Sequence, residues 1–304
     1  TESNNWALKG LLTAPGQTRR RIVTLATEHS SVLETAQYLA GIGAQLTIVP
    51  VREHGLVDLG DLERALGEDV ALVSVMAVNN EIGVVQDLAG IGRRAHAVGA
   101  VFHVDAAQGF GKLPLNVDVM GIDLMSVTAH KIYGPKGVGA LLLRPGLDPA
   151  PLLTGGGQES GRRGGTEALP AIAGFAAAAA CPLPEGLAAM RDAIEIGVKA
   201  LAPEAIIAGS GAPRLPNTTS LILPGVAAET QVIALDLAGV AVSAGAACSS
   251  GKVRQSHVLA AMGYGAEAAC AIRVSLPWNA PEDTPARFLA AWGAMRGRLI
   301  AHRR

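Results

Sequence analysis

The stretch Ser126 to Gly139, which reads S-V-T-A-H-K-I-Y-G-P-K-G-V-G, decides how the rest of the sequence is interpreted. The apolar run 122–127 that leads into it predicts a buried strand, and the glycines and proline after Lys131 predict a tight turn back into a second apolar strand. A lysine chosen at random is a solvated surface residue about nine times in ten. Between two core strands and next to His130, however, Lys131 is expected to be held out of water, where it can act as a nucleophile toward an aldehyde cofactor.

Length, composition and charge exclude several classes of protein. The chain has 304 residues, of which 49% are hydrophobic and 17% charged, so it can bury a full core and is expected to form one large and one smaller domain. The net charge is -1, and the basic clusters 19–21 and 303–304 are too short for a nucleic-acid-binding stripe. The longest apolar stretches, such as 171–180, are shorter than the ~20 residues that cross a bilayer, and no signal peptide opens the chain. We therefore expect a soluble cytoplasmic protein that binds neither nucleic acid nor membrane.

The three cysteines, Cys181, Cys248 and Cys270, have no C-x-x-C spacing, so the sequence predicts neither a disulfide framework nor a metal site. Cys248 stands in a run of small residues, 243–252, close to Lys252, and this setting favours an accessible thiolate. The other two cysteines are expected to be buried core residues.

The first 150 residues alternate strand-like and helix-like segments, which predicts an α/β domain with a mainly parallel sheet flanked by helices. The predicted strands are 22–26, 44–49, 70–76, 101–104, 124–128 and 140–143. The predicted helix N-caps are Ser31, in a capping box with Glu34, and Asp58 and Asp87. The break Pro182-Leu183-Pro184 predicts a boundary between a large domain, residues 1–182, and a smaller C-terminal α+β domain, residues 183–304.

Polar side chains follow four of the predicted strands at the points where the strands end. They are His29, Asn80 with Glu81, Asp105 with Gln108, and His130 with Lys131. Because ligands in open α/β sheets bind outside the carboxyl ends of the strands, we expect these side chains to converge on one crevice. Each also has a purely structural interpretation, since His29 could cap a helix, Asn80 could form a turn and Asp105 could be an N-cap.

Residues 155–167, G-G-G-Q-E-S-G-R-R-G-G-T-E, are rich in glycine and contain Arg162 and Arg163. This composition indicates a loop that approaches an anion such as phosphate, although a merely flexible loop is the alternative. The pattern is neither a dinucleotide fingerprint nor a Walker motif. Further on, Arg273 interrupts the strand-like run 271–275 and is expected to face a carboxylate.

With these residues placed, the sequence resembles the cysteine desulfurases of the NifS/IscS type. These are fold type I, pyridoxal phosphate-dependent transferases of the class V aminotransferase family, which take sulfur from L-cysteine for iron-sulfur clusters. The resemblance covers essentially the whole chain, but the segment expected before Thr1 is missing. The motifs that carry it are T-E-S-N-N at Thr1, T-E-H-S-S-V-L at Thr27, V-N-N-E-I-G-V-V-Q at Val78, H-V-D-A-A-Q at His103, A-H-K-I-Y-G-P-K-G at Ala129, R-R-G-G-T at Arg162 and the Cys248 loop.

The resemblance implies a role for each residue of a pyridoxal 5'-phosphate site. Lys131 would hold the cofactor, Asp105 would pair with its pyridine nitrogen, and Gln108 would hydrogen-bond its ring oxygen. His29 would stack on the ring and transfer protons. The implied phosphate ligands are Thr1, Thr128, His130 and, across a homodimer interface, Thr166.

The resemblance also implies the substrate, the reaction and the partners. Asn80 and Arg273 would bind the carboxylate of L-cysteine, and Cys248 would accept its sulfur as a persulfide while L-alanine is released. The sulfur would then pass to an iron-sulfur cluster scaffold or another acceptor protein. Two alternatives stay open. One is a pyridoxal phosphate-dependent lyase or aminotransferase of other specificity, such as a selenocysteine lyase. The other is a non-catalytic sulfur-transfer scaffold. Ser160 departs from the family pattern, in which arginine often follows the glutamate of the glycine loop.

Overall fold

The computed structural model describes residues 1–181, 185–245 and 255–301. The chain divides into two compact units. Unit 1 comprises Thr1–Val51, Val57–Asn79 and Gln86–Leu183, and unit 2 comprises Arg52–Leu56, Asn80–Val85 and Pro184–Arg304. The sequence did not indicate that the two short segments 52–56 and 80–85, which interrupt the first predicted domain, belong to unit 2.

Unit 1 is built on a six-stranded sheet with the strand order β2-β1-β3-β4-β5-β6. The strands are β1 Arg21–Leu25, β2 Gln45–Val49, β3 Val70–Met76, β4 Val101–Asp105, β5 Leu124–Thr128 and β6 Gly139–Leu143. Strands β1 to β5 pair in parallel, and β6 pairs antiparallel with β5. These bounds differ from the predicted ones by no more than a single residue, and the predicted α/β fold is confirmed.

The described part of unit 1 contains five helices. They are α1 Glu2–Leu12, α2 Ser30–Gly41, α3 Leu59–Ala65, α4 Leu88–Ala97 and α5 Leu169–Ala179. Apolar side chains of α1 and α2, such as Leu8 and Val32, pack with Leu72 and Leu124 of the sheet in one buried cluster. Burial of this apolar surface holds both helices against the sheet and fixes where their first residues lie.

The N-termini of three of these helices test the predicted caps. Asp58 and Asp87 accept hydrogen bonds from the backbone N–H of Asp61 and Gly90, so both predictions are confirmed. The capping box of Ser31 and Glu34 was wrong. His29 is the N-cap of α2, because its extended backbone lets the imidazole Nδ1 accept from the N–H of Ser31.

Unit 2 contains a four-stranded antiparallel sheet with the order β7-β8-β10-β9. Its strands are β7 Ile206–Ala208, β8 Thr218–Ile222, β9 Ser243–Ala244 and β10 Ala271–Ser275, and its helices are α6 Leu187–Leu201, α7 Ala228–Asp236, α8 His257–Ala261 and α9 Thr284–Ala301. The core of this unit is formed by Trp292, Ile194, Leu235 and Ile272, which pack in one cluster. The short strand β9 consists of Ser243 and Ala244, and both residues pair with β10.

The cysteines lie in different settings from those expected. Cys181 is exposed, so the prediction that it is a core residue was wrong; it directly follows α5, which faces outward. Cys270 has intermediate exposure, and Cys248 lies outside the described residues. Across the part of the chain that the structure describes, no helix is both long and apolar enough to span a bilayer.

Gly92 of α4 tests how tightly this helix packs in unit 1. A Cβ atom at this position would lie 2.5 Å from the carbonyl oxygen of Met120 and 3.1 Å from Phe102 Cδ1. Because the backbone of residue 120 cannot rotate away as a side chain can, Gly92→Ala should lower the free energy of unfolding by about 1–3 kcal/mol in urea titrations. Gly41→Ala is the matched control, since a Cβ there meets nothing within 4 Å, and it should be neutral or stabilising by up to ~1 kcal/mol. Equal effects of the two changes would contradict this packing.

Candidate active site

Lys131 lies in a 3-10 turn, Ala129–Ile132, that directly follows β5. The turn ends at Tyr133, which adopts the left-handed conformation with φ 65°. The Lys131 side chain is exposed, so the expectation that two core strands keep it out of water was wrong. The reason is that β6 is the last strand of the sheet and its residues are largely exposed.

Asp105, the last residue of β4, carries a buried carboxylate that is 5% exposed. Its Oδ2 accepts a hydrogen bond of 2.7 Å from Asn4 Nδ2, and its Oδ1 accepts one of 2.9 Å from the N–H of Ala107. Burial of a carboxylate is costly unless hydrogen bonds compensate for the lost water. The two donors meet that requirement and orient the carboxylate at the end of the strand.

A chain of hydrogen bonds connects Asp105 to His29. Besides Asp105, Asn4 Nδ2 contacts Ser31 Oγ at 2.8 Å, and Ser31 Oγ lies 2.8 Å from His29 Nδ1. Two of the side chains predicted to act on the cofactor are therefore linked through α1 and α2. Asn4 was not singled out from the sequence, and Ser31 was predicted only as a helix cap. The available signal was that Asn4 lies on the same helix face as Leu8 and Leu11, which are core positions.

Two further titratable groups are buried close to Asp105. Burial raises the pKa of Glu28 well above its usual range, and the nearby charge of Asp105 raises it further. A hydrogen bond of 2.8 Å from the N–H of Met76 lowers this pKa but does not cancel the rise. Burial lowers the pKa of His103 to about 4, despite the opposing effect of Asp105. His103 is held by hydroxyl groups on both sides, Ser74 Oγ at 2.8 Å and Ser126 Oγ at 3.0 Å. A raised carboxyl pKa and a lowered imidazole pKa both favour the neutral form, so the charge in this cluster is concentrated on Asp105.

Three of the predicted phosphate ligands lie together with Lys131. Thr128 Oγ1 contacts His130 Nδ1 at 2.8 Å. Burial lowers the pKa of His130, and so do the charges of Lys131 and Lys136; the backbone nitrogen of Thr1 is also close enough to interact with His130. Thr1 is also the N-cap of α1, where the positive end of the helix dipole is found. This clustering of positive charge at the ends of β5 and α1 suits an anion.

Unit 1 also contains Gln108 and Thr166, the two other residues predicted to bind the cofactor. Gln108 is half-buried, and its Oε1 accepts a hydrogen bond of 2.8 Å from Lys112 Nζ. Thr166 is exposed in the loop before α5. In the glycine loop, Arg163 forms a forked ion pair with Glu2 in the first turn of α1, which connects the loop to the helix terminus beside Thr1.

The backbone of the glycine loop is strained at the position that departs from the family pattern. Glu159 and Ser160 adopt positive φ values of 47° and 57°. Residues other than glycine, asparagine and aspartate rarely adopt this conformation, and its cost must be offset by surrounding contacts. Strained non-glycine residues of this kind cluster at ligand sites.

Unit 2 holds the two residues predicted to bind the substrate carboxylate. Arg273, on β10, donates through Nη1 to the carbonyl oxygen of Asn80 at 2.8 Å and through Nη2 to Ser243 Oγ at 3.3 Å. Burial lowers the pKa of Arg273, and the charge of Glu81 opposes this. Among the described residues, Arg273 Nε has no hydrogen-bond partner. The predicted neighbours Asn80 and Arg273 are thus in contact, through the backbone of Asn80.

Glu81 is the carboxylate that faces Arg273 from the same segment. It is buried, and it accepts a hydrogen bond from Ser256 Oγ, the N-cap residue of α8. Burial raises the pKa of Glu81, while Ser256, His257 and Arg273 act to lower it. The expectation that Arg273 faces a carboxylate is met through the charge of Glu81, but its guanidinium hydrogen bonds go to a carbonyl and a hydroxyl.

The chain is similar to known proteins over most of its length. Residues 1–284 match the family model described as aminotransferase class-V. The cysteine desulfurase IscS of Rickettsia akari (strain Hartford) is 41% identical over 277 residues, which are 88% of this chain and 67% of that protein. Among solved structures, a NifS-like protein superposes with a TM-score of 0.87 at 35% identity, covering 98% of this chain and 80% of the other. The structure of SspA in complex with cysteine has a TM-score of 0.80 at 34% identity, with 91% and 79% of the two chains covered.

The raised pKa of Glu28 predicts a pH-dependent stability. A carboxyl group whose pKa is higher in the folded than in the unfolded protein costs nothing below its ordinary value of 4.5, and it destabilises the fold as the pH rises above that value. Glu28→Gln keeps an acceptor for the N–H of Met76 but cannot ionise. We therefore expect Glu28→Gln to unfold at higher urea concentration than the parent, by a margin that grows between pH 4.5 and pH 8.

The control for this comparison is Glu34→Gln, because Glu34 is an exposed carboxylate on α2, the helix that begins two residues after Glu28. This change should alter the urea midpoint little at any pH. A Glu28→Gln margin that is constant or shrinks with rising pH would contradict the assignment of a neutral Glu28 in the folded protein.

Proposed function

The chain belongs to the class V aminotransferase family, and on that premise we propose how its residues share the work of a pyridoxal phosphate-dependent cysteine desulfurase. The predicted family, cofactor and activity are confirmed by relatives that are named cysteine desulfurases and that cover most of the chain. The observation that carries the residue assignments is the placement of buried Asp105 at the end of β4, beside the strand whose end bears Lys131.

The residues of unit 1 fit pyridoxal phosphate. The cluster of Thr1, Thr128, His130 and Lys131 offers positive charge and hydroxyl groups to a phosphate. Asp105 offers a buried, oriented carboxylate to a pyridine nitrogen. When bound, pyridoxal phosphate supplies an electron sink that stabilises negative charge at the Cα of an amino acid.

In this proposal Asp105 keeps a proton on the ring nitrogen, because a buried carboxylate that is not neutralised by a protein cation favours a positive partner. The near neutrality of Glu28 and His103 leaves Asp105 as the charged group of this cluster. Lys131 holds the cofactor and, once displaced by the substrate amine, removes the Cα proton. Its side chain is exposed at a strand end, where both a cofactor and a substrate can reach it.

His29 and Gln108 act on the ring in this proposal. The Nδ1 of His29 accepts from the N–H of Ser31, so its proton in the neutral ring is on Nε2. An imidazole with a fixed tautomer can exchange protons through a single defined atom. Gln108, whose Oε1 is occupied by Lys112, retains its amide hydrogens for the ring oxygen.

Arg273 binds the carboxylate of L-cysteine in this proposal, with the neighbouring Asn80. Guanidinium presents a planar fork that matches a carboxylate, and its present partners, a carbonyl and a hydroxyl, are neutral. A charged carboxylate is a stronger acceptor than either of them. The charge of Glu81 opposes the effect of burial on the pKa of Arg273.

The sulfur transfer is assigned to Cys248, which lies outside the described residues. Its thiolate would attack the sulfur of the substrate, breaking the Cβ–S bond and forming an S–S bond on the enzyme. The electron pair of the broken bond remains with the substrate carbon skeleton, which takes up protons and leaves as L-alanine. The products balance the reactants, since cysteine and one enzyme thiol give alanine and one enzyme persulfide.

We also propose that the protein acts as a homodimer and that α5 lies in the interface. None of the eleven residues of α5, all of which are described, is buried, although the helix consists of apolar residues and glycine. Leu169 at its start is 69% exposed. An apolar surface of this kind is costly in water and is expected to be covered by a second copy. Thr166, only three positions earlier, would then reach the partner, as the family resemblance implies.

The sulfur acceptor and the compartment complete the proposal. The proposed destination of the sulfur is iron-sulfur cluster assembly, which the names of the IscS relatives support, and the proposed compartment is the cytoplasm. Another pyridoxal phosphate-dependent lyase, such as a selenocysteine lyase, is the second candidate, and it would release the chalcogen without a protein thiol. The Cys248 experiment below separates the two.

Reduction with borohydride tests the role of Lys131. The parent protein loaded with pyridoxal phosphate should carry the reduced label on the Lys131 peptide, and Lys131→Ala should carry none, because no other amine lies at the end of β5 in the same position. Lys9→Ala is the control, since Lys9 lies over the ring of Tyr38 on the outer part of α1, and it should be labelled like the parent. Label on a different lysine of the parent would refute the assignment.

Substitution of Cys248 tests the persulfide route. Cys248→Ser should bind pyridoxal phosphate with the parent spectrum but release alanine from cysteine at least about a hundredfold more slowly, because the second nucleophile is lost. Cys181→Ser, which changes an exposed cysteine of unit 1, should keep the parent rate. Alanine release by Cys248→Ser near the parent rate would favour the lyase alternative.

A further inference from the structure

The side-chain amide of Asn4 joins the two ends of the proposed cofactor site in unit 1. Its Nδ2 donates to Asp105 Oδ2 at 2.7 Å and to Ser31 Oγ at 2.8 Å. Asp105 belongs to β4 and Ser31 to α2, so one amide ties α1 to two separate elements. All three side chains are buried, with exposed fractions of 3% for Asn4, 5% for Asp105 and 9% for Ser31.

The directions of these hydrogen bonds are fixed by the donors available. An ionised carboxylate only accepts, so one amide hydrogen of Asn4 is used by Asp105. Ser31 Oγ accepts the other, and its own hydrogen is therefore free for His29 Nδ1 at 2.8 Å. The N–H of Ser31 also donates to this nitrogen, at 3.1 Å. The chain of donors thus runs from Asn4 in both directions, toward Asp105 and toward His29.

The number of N–H or O–H donors that each side chain offers explains why asparagine is needed at position 4. Aspartate has the same shape but no N–H, alanine has no polar group, and a serine hydroxyl has a single hydrogen. Hydrogen bonds to a buried charged group are also worth more than those between neutral groups. Losing the Asn4 amide would therefore leave Asp105 with only the N–H of Ala107 and would leave Ser31 Oγ without its donor.

We propose that Asn4 is a positioning residue, which holds the Asp105 carboxylate toward the cofactor ring nitrogen and, through Ser31, holds His29 with its proton on Nε2. Asn4 itself does not touch the cofactor in this proposal. The inference rests on the proposed function. The other titratable groups that interact electrostatically with Asp105 are Glu28, which precedes His29, and His103, two residues earlier on β4.

The first experiment compares Asn4→Asp with the parent. Two carboxylates at this separation share one proton and cannot both ionise, so the negative charge next to the ring nitrogen becomes dependent on pH. We expect the dissociation constant for pyridoxal phosphate, measured by fluorescence, to rise about ten- to a hundredfold. The visible absorption band of the bound cofactor should change with pH over a range in which the parent band is constant.

Asn116→Asp is the matched control, because it makes the same chemical change at an exposed turn of unit 1. Asn116 Oδ1 accepts from the N–H groups of Asp118 and Val119, and an aspartate oxygen can do the same. This variant should keep the parent dissociation constant and spectrum. Circular dichroism and thermal unfolding of the cofactor-free proteins establish that each variant is folded.

The network has two arms, one from Asn4 to Asp105 and one from Asn4 through Ser31 to His29, and Ser31→Ala interrupts only the second. It removes the hydroxyl between Asn4 and His29 but leaves the contact between Asn4 and Asp105. We expect a cofactor dissociation constant and band close to those of the parent, with a kcat for cysteine lowered about tenfold, a KM changed less than kcat, and a shifted pH profile of kcat. If Asn4→Asp does not fold, Asn4→Ala and Ser31→Ala decide the matter by the same measurements.

The outcomes distinguish this proposal from the proposed function. A folded Asn4→Asp that binds pyridoxal phosphate like the parent, with a band constant over the same pH range, overturns the positioning role whatever the activity. So does a Ser31→Ala variant that loses the cofactor as strongly as the Asn4 variants, since the arms would then not be separate. If the parent binds pyridoxal phosphate but releases no alanine from cysteine, the proposed function fails, while the binding and spectral comparison of Asn4→Asp still decides the role of Asn4.

Discussion

A carboxylate can be buried only if hydrogen bonds replace the water it loses, and the site in unit 1 depends on how Asp105 meets this constraint. The two donors come from different parts of the chain, Asn4 in α1 and the backbone of Ala107 just after β4. Asn4 can reach Asp105 only because the apolar face of α1 packs on the sheet with Leu8 and Leu11 in the core. The hydrophobic packing of α1 therefore determines how the buried carboxylate of Asp105 is oriented. The same helix begins at Thr1, beside His130, so its position also determines the place at which an anion is attracted.

The electrostatics of the site follow from the same burial. Glu28 and His103 lie close to Asp105 and are both shifted toward their neutral forms by loss of water. Two ionised carboxylates in this region would repel each other, and a charged His103 would neutralise Asp105 and weaken its attraction for a protonated ring nitrogen. The hydroxyl groups of Ser74 and Ser126 satisfy both nitrogens of a neutral His103 without adding charge. In unit 2, burial likewise lowers the pKa of Arg273, and the charge of Glu81 opposes this shift.

The strands of unit 1 and two of its helix N-caps could be predicted because the relevant signal is local. Apolar runs bounded by glycine and proline identified β3 and β5, and acidic residues before helical patterns identified the caps at Asp58 and Asp87. The strand ends also indicated His29 and Asp105, which a chain of hydrogen bonds connects. What could not be predicted depends on contacts between distant parts of the chain. Asn4 and Asp105 are 101 residues apart, and Lys131 is exposed because the following strand is at the edge of the sheet. The cap of α2 was misassigned because an imidazole replaced the usual hydroxyl at that position.

The ionisation of the cofactor ring is the most direct test of the proposed function, in which Asp105 keeps the ring nitrogen protonated. The measurement is nuclear magnetic resonance of the protein loaded with pyridoxal phosphate that is labelled with the heavy nitrogen isotope in the ring. The account predicts the chemical shift of a protonated, hydrogen-bonded nitrogen at every pH at which the protein is folded, and a loss of that signal in Asp105→Asn. A ring nitrogen that is unprotonated at neutral pH in the parent protein would contradict it.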